Sequence, residues 1–206
     1  MTISLAHRLL AAGVVCILAL IGLVIIEGRA RAAGREVIVR MQPVDPRALL
    51  TGHYVQLSFA DSLAPGEACP PITEREAQFG AFGARSEDWL ALRKDGDVHV
   101  LAGSYATKGE ALKHGEIVVR GFARCDPPFT PEPGTEGATA SPGTVFLDLS
   151  VDRFYADQQE AEALEKILHD RDQTDRTAAI LSVSDDGTVR TKGVIVDGKR
   201  VELTWF

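Results

Sequence analysis

Residues 36–59 read EVIVRMQPVDPRALLTGHYVQLSF, and this stretch decides the fold. Val37, Val39 and Met41 are apolar at every second position, the period at which strand side chains return to one face. Residues 54–59, YVQLSF, read as a second strand. Between them Pro43 and Pro46 each lack an N–H and restrict the residue before them, so 43–46 cannot continue a ladder. The stretch reads strand, bent connection, strand.

Working outward, the same grammar recurs downstream. Trp89-Leu90-Ala91-Leu92 and Val98-His99-Val100-Leu101 flank Lys94-Asp95-Gly96-Asp97, and an Asp-Gly pair between apolar runs is a strong hairpin signal. Residues 180–183 and 189–191 flank Asp185-Asp186-Gly187 in the same way, and Asp197-Gly198 separates 193–196 from 201–205. Two more strands are expected over 116–122 and 144–151, with Val145, Leu147, Leu149 and Val151 alternating in the second. Residues 126–143 hold five prolines and three glycines and read as a flexible surface loop or a solvated hairpin extension. One amphipathic helix is expected over 157–172, where Ala161, Leu164, Ile167 and Leu168 recur at helical spacing. Thr73 with Glu76 resembles a capping box for a short helix over 73–78. The fold class is mainly β, antiparallel and hairpin-rich, with α+β as the alternative class.

Upstream, residues 9–26 contain only Leu, Ala, Gly, Val, Cys and Ile, about 27 Å of helix at ~1.5 Å per residue. That nearly spans a bilayer. The chain accordingly divides into a short tail (1–8), a transmembrane anchor (9–26), a linker (27–35) and one exported domain (36–206). Ala30-Arg31-Ala32 has the form of a signal cleavage site, but Glu27, Arg29 and Arg31 place charge on its approach, which favours an uncleaved anchor over a cleaved leader. Arg29, Arg31 and Arg35 after the span argue for a cytoplasmic domain, whereas a short tail ahead of a long acidic domain argues for export, the orientation adopted here.

Beyond Cys16, which lies within the apolar run, the thiols are Cys69 and Cys125. In an exported domain two cysteines suggest one bridge, with two unrelated free thiols as the alternative. No CxxC spacing is present for redox or zinc chemistry. Of 22 basic and 29 acidic residues, four and one precede residue 36, so the domain carries 18 against 28, a net −10. Such a balance disfavours nucleic acid as a partner.

The segment PVDPRALLTGHYVQLSF resembles the signature of the GDYXXLXY protein family, a proline-rich turn followed by Gly-Asp-Tyr, two residues, Leu, one residue and an aromatic. Gly52, Tyr54, Leu57 and Phe59 fit it. Phe154-Tyr155-Ala156-Asp157-Gln158-Gln159 is similar to the family's later aromatic strand end, Pro-Glu-Gly turn and acidic helix, and the closing hairpins over 180–198 fit as well. The resemblance implies a membrane-anchored protein facing away from the cytoplasm, in the bacterial inner membrane with its domain in the periplasm, and a multi-span membrane protein as partner. It implies no established activity. Two positions depart from the pattern: His53 replaces the aspartate, and Gln158 stands where the glutamate belongs. An acid pair at those positions is therefore absent unless His53, which titrates near neutrality, serves instead. The candidate binding surface is the signature itself: Pro43, Asp45, Pro46, Gly52, His53, Tyr54, Leu57 and Phe59.

An enzyme reading competes with a binding one. Arg40-Met41-Gln42-Pro43 resembles the Ser-Met-x-Pro segment of membrane signal peptidases, but arginine holds the nucleophile's place. Gly103-Ser104-Tyr105 lacks the second glycine of a nucleophile elbow. The histidines show neither HExxH nor HxH spacing, so no catalytic residue, metal site or cofactor is assigned. The sequence thus reads as an anchored, extracytoplasmic binding or accessory module, with an envelope hydrolase built around His53 as the alternative.

Overall fold

The structure is a computed structural model, and it describes residues 4–42, 54–73, 87–129, 140–151, 153–155 and 177–202. The apolar run forms α1 (Leu5–Ala33), a helix about 43 Å long at ~1.5 Å per residue. It overruns the expected span at both ends. Residues 27–33, read as linker, are helical, and β1 (Arg35–Arg40) begins after a single residue, Gly34.

Among the described residues eleven strands follow from that point. They are β1, β2 (Tyr54–Gln56), β3 (Phe59–Leu63), β4 (Asp88–Asp95), β5 (Val98–Tyr105), β6 (Ile117–Asp126), β7 (Gly143–Asp148), β8 (Arg153–Tyr155), β9 (Thr177–Val183), β10 (Val189–Val196) and β11 (Lys199–Glu202). A four-stranded sheet runs β1-β9-β10-β11, a five-stranded sheet runs β3-β7-β6-β4-β5, and β2 pairs with β8. Every pairing is antiparallel. One hydrophobic core joins the two larger sheets, with Val37 and Val39 of β1 and Met41 just after it packed in the same cluster as Leu90, Leu92, Val119, Val145, Leu181 and Val194.

The expected hairpins form, and their turn chemistry explains them. Asp197 and Gly198 both have positive φ, 51° and 74°, the backbone of the two-residue turn that matches strand twist. Gly187, at φ 82°, closes the β9–β10 turn. That turn also ties the sheets together. The Gly187 carbonyl accepts from Arg120 N at 2.9 Å, and a Cβ at Gly187 would lie 2.6 Å from the Trp89 ring. The Arg120 guanidinium sits 4.9 Å from the same ring's centroid.

Several sequence expectations are corrected. Residues 54–59 are not one strand: the chain changes sheets at Leu57 and Ser58, where Ser58 O accepts from Gln42 N at 2.9 Å and holds the bend. The strand over 144–151 stops at Asp148, whose carboxylate accepts from Ser150 N while Ser150 takes φ 57°. At the ends of the loop expected over 126–143, Asp126 closes β6, Gly143 opens β7 and Phe129 bridges Ser141, and 130–139 lie outside the described residues. Thr73, read as a helix cap, donates its hydroxyl to Ser104 O at 2.8 Å, and the rest of 73–78 lies outside the described residues. So does the helix expected over 157–172. A short helix not anticipated, α2 (Lys108–Ala111), is capped by Thr107 accepting from Glu110 N.

The junction of α1 with the domain is close-fitting. Ser182 of β9 donates to Arg31 O at 2.6 Å, and Glu27 pairs with Arg190 of β10 at 2.7 Å. A Cβ on Gly34 would lie 2.1 Å from Ser182 Oγ and 3.0 Å from Val183 O, so only glycine fits between helix and sheet. Gly34→Val should therefore force the helix end off β9 and destabilise the domain by about 1–3 kcal/mol. Thermal unfolding of the full chain in detergent, alongside Gly28→Val in open space, checks this.

β1 also reaches both edges of the five-stranded sheet. Met41 bridges Phe59 of β3, and Ile38 N donates to Nδ1 of His99 on β5 at 3.2 Å. Burial holds the His99 pKa below the ordinary histidine value of 6.5 despite the opposing pull of Glu116, with Lys94 and Arg35 also lowering it. Acceptance at Nδ1 likewise needs the lone pair of the neutral ring. Above pH 6.5 neither folded nor unfolded chain is charged there. As pH falls below it the unfolded chain protonates first, so stability declines through the window beneath about pH 6.5. His99→Asn keeps an acceptor and should flatten that decline, read as urea midpoint against pH. Glu36, lowered through hydrogen bonds from Lys192 and Arg200, adds a separate loss only as pH falls below its ordinary 4.5.

Candidate functional site

Of the eight signature residues, Pro43, Asp45, Pro46, Gly52 and His53 lie outside the described residues. Tyr54 opens β2. Leu57 and Phe59 are buried, 5% and 2% exposed, so their side chains pack the interior rather than face a partner. Cys69 and Cys125 are bridged, with Cα atoms 6.0 Å apart, and both half-cystines pack on the main core.

The structure unites the two segments that carry the family resemblance. β2 pairs with β8 in the register Tyr54 to Tyr155, Val55 to Phe154 and Gln56 to Arg153. Stretches nearly one hundred residues apart in sequence thus form one ribbon. At its other end the chain passes from Gln56 through the sheet-changing bend into β3, and there the open surface begins.

Two adjoining hollows lie on that surface. The larger, about 600 Å³, separates β3 from β5; Arg40, Asp61, Ser62, Glu67, Arg93 and Asp95 contribute its polar groups, and Leu63, Leu101 and Val145 its apolar ones. The smaller, about 490 Å³, continues past Arg40 and Asp95 toward Ile38, Val98 and Ile195. Arg40 and Asp95 line both, so the hollows form one groove. Arg40 pairs with Asp61 at 2.7 Å, and the Glu67 carboxylate accepts from Ala64 N at 3.0 Å. Arg93 and Asp95, both exposed on β4, offer one charge of each sign to a ligand.

Position explains why these side chains converge. Along β1 and the residue after it the inward side chains are Val37, Val39 and Met41, which leaves Arg40 on the outer side. Asp61 follows the signature's last aromatic by two residues, on β3, which pairs with β7. In the sequence Arg40 stands where a peptidase nucleophile would be and Asp95 sits in an Asp-Gly turn, while Asp61 and Arg93 belong to no motif. No local motif announces them; the groove is made by sheet closure.

Arg40 is committed to Asp61, and Ser104 is buried in β5 at 3% exposure, out of reach of a substrate. Among the described residues no three His, Cys, Asp or Glu side chains are grouped to hold a metal ion. The arrangement suits recognition of a polar, charged ligand.

The sequence profile of the GDYXXLXY protein family matches residues 16–194, from within α1 to β10. Neither a curated protein nor a solved structure matches the chain. The match takes in most of the apolar helix, the paired signature ribbon and the β9–β10 hairpin turn, and the chain belongs to the GDYXXLXY protein family.

Proposed function

We propose that this protein is an extracytoplasmic binding or accessory module, anchored in the bacterial inner membrane by α1 with its domain in the periplasm, and that it serves a multi-span membrane protein. The observation that carries the reading is the joint at Gly34. A helix with an 18-residue window of mean hydropathy 3.2, long and apolar enough to cross a bilayer, runs without a linker into a folded domain and is fastened to β9 and β10. A domain held so close to its helix is poised to meet other proteins at the membrane surface. The bridge between Cys69 and Cys125 supports the compartment, since structural disulfides persist in oxidising surroundings.

The groove around Arg40 is the binding surface in this reading, supported by its mixed charge and its start at the end of the signature strand. A hydrolase finds less support, with Arg40 in an ion pair and Ser104 buried. The test is in vivo photocrosslinking of the full-length chain. A photoreactive residue replaces Ser62, exposed in the groove, with the exposed Lys113, which lines neither hollow, as control. Capture of one membrane protein from position 62 alone is the expected result. Equal capture from both positions, or from neither, removes the reading.

A further inference from the structure

β9 holds β1 in the four-stranded sheet along the whole of Arg35–Arg40, and the other edge of β1 meets β5 of the five-stranded sheet. In an antiparallel ladder successive amides point to alternate edges. The amide of Ile38 crosses the seam between the sheets and donates to a side chain, Nδ1 of His99, at 3.2 Å. Further along, Met41 bridges Phe59 of β3. The two contacts differ in kind. The second is made of backbone groups that do not titrate, whereas His99 accepts only while Nδ1 keeps its lone pair. A proton there sets two N–H donors against each other and takes the acceptor from the half-buried Ile38 amide. Histidine ordinarily changes charge between about pH 5 and 8. Lys94, directly across from His99 on β4, and Arg35, which donates to the Glu116 carbonyl at 3.0 Å, work against a further cation, and the Glu116 carboxylate favours it. Burial tilts the balance toward the neutral ring, which keeps the contact closed at neutral pH.

We propose that His99 is a proton-operated latch on the groove: acid releases β1 from β5, the sheets part about the bridge between Met41 and Phe59, and the smaller hollow widens to its ligand. Position carries the link. Ile38, whose amide is the other half of the latch, lines that hollow together with Val98, the neighbour of His99, and Arg40, Asp95 and Asp97 supply its charges. Because β9 holds β1 through six residue pairs, β1 stays in its own sheet and the motion is an opening rather than an unfolding. The latch rests on the binding-module reading where it regulates the groove, while the parting of β1 from β5 is measured without any ligand.

The test is hydrogen exchange at the Ile38 amide, read by NMR on the full chain in lipid nanodiscs with its isoleucines labelled and each rate divided by the intrinsic rate at that pH. Protection of Ile38 should fall several-fold, up to roughly tenfold, from about pH 7.5 to about pH 5.5, because the open state takes up a proton that the closed state refuses. At the acid end Ile38 should be at least about tenfold less protected than Ile180, which is fully buried in the central strand β9. His99→Asn and His99→Gln supply acceptors that do not titrate, and in whichever of them folds the protection of Ile38 should not follow pH. Photocrosslinking from position 62, in the adjoining hollow, should rise several-fold at the acid pH in the wild type alone. Protection of Ile38 that ignores pH in the wild type, a fall matched in the variants, or Ile38 and Ile180 exchanging together overturns the latch. If Ile38 opens as expected while position 62 captures nothing at either pH, the binding reading falls and the latch stands.

Discussion

Phe59→Ala is expected to destabilise the domain by about 3–5 kcal/mol, near the upper end of single core truncations. Phe59 is the last aromatic of the family signature, and its side chain is only 2% exposed. It opens β3 opposite Leu147 of β7 and bridges Met41, just past the end of β1, so it stands where the two large sheets meet. Removing its ring opens a cavity bounded by strands of both sheets, which cannot collapse without moving one of them. Urea unfolding of the full chain in detergent measures the loss. Ser62→Ala, three residues along the same strand and exposed, should stay within about 0.5 kcal/mol of the wild type. A small effect at Phe59 would mean that β3 is not seated on the core as described.

Loss of the bridge should be comparable. Cys69 and Cys125 are separated by 56 residues, and closing a loop of that size restricts the unfolded chain by about 4 kcal/mol in the chain-entropy treatment. The bridge fastens the segment after β3 to β6, while Pro71 and Thr73 bond to Ser104 just beyond it. Those hydrogen bonds should survive in a Cys69→Ala/Cys125→Ala variant, so the expected result is a lower urea midpoint with the native circular dichroism retained. Reducing the wild type should lower its midpoint similarly, and a reduced midpoint equal to the oxidised one would contradict the assignment.

The parts of the fold governed by local chemistry were legible in sequence. Asp95-Gly96, Asp186-Gly187 and Asp197-Gly198 marked their hairpins because glycine takes positive φ at each, and alternation along residues 37–41 marked β1. The errors fall where a long-range contact overrides local pattern. Residues 54–59 looked continuous, yet Gln42 holds Ser58 in a bend and sends the two halves into different sheets. The helix ran through its charged end because Arg190 and Ser182, more than one hundred and fifty residues away, receive Glu27 and the Arg31 carbonyl. The groove was illegible for the same reason. Arg40, Asp61 and Asp95 meet only because β1 approaches both edges of a curled sheet, and no spacing in the chain encodes that meeting. The signature could be recognised as a family mark, but the core roles of Leu57 and Phe59 emerged only with burial.

The most direct measurement is the thiol state of the full-length chain in intact cells, trapped by acid and read by mass-adding maleimide after denaturation. The chain has three cysteines. An anchored, uncleaved protein with its domain outside the cytoplasm should take one adduct without reductant, at Cys16, and three after reduction. Three adducts without reductant would place the domain in a reducing compartment and contradict the proposed orientation, and none without reductant but two after it would show that α1 had been removed.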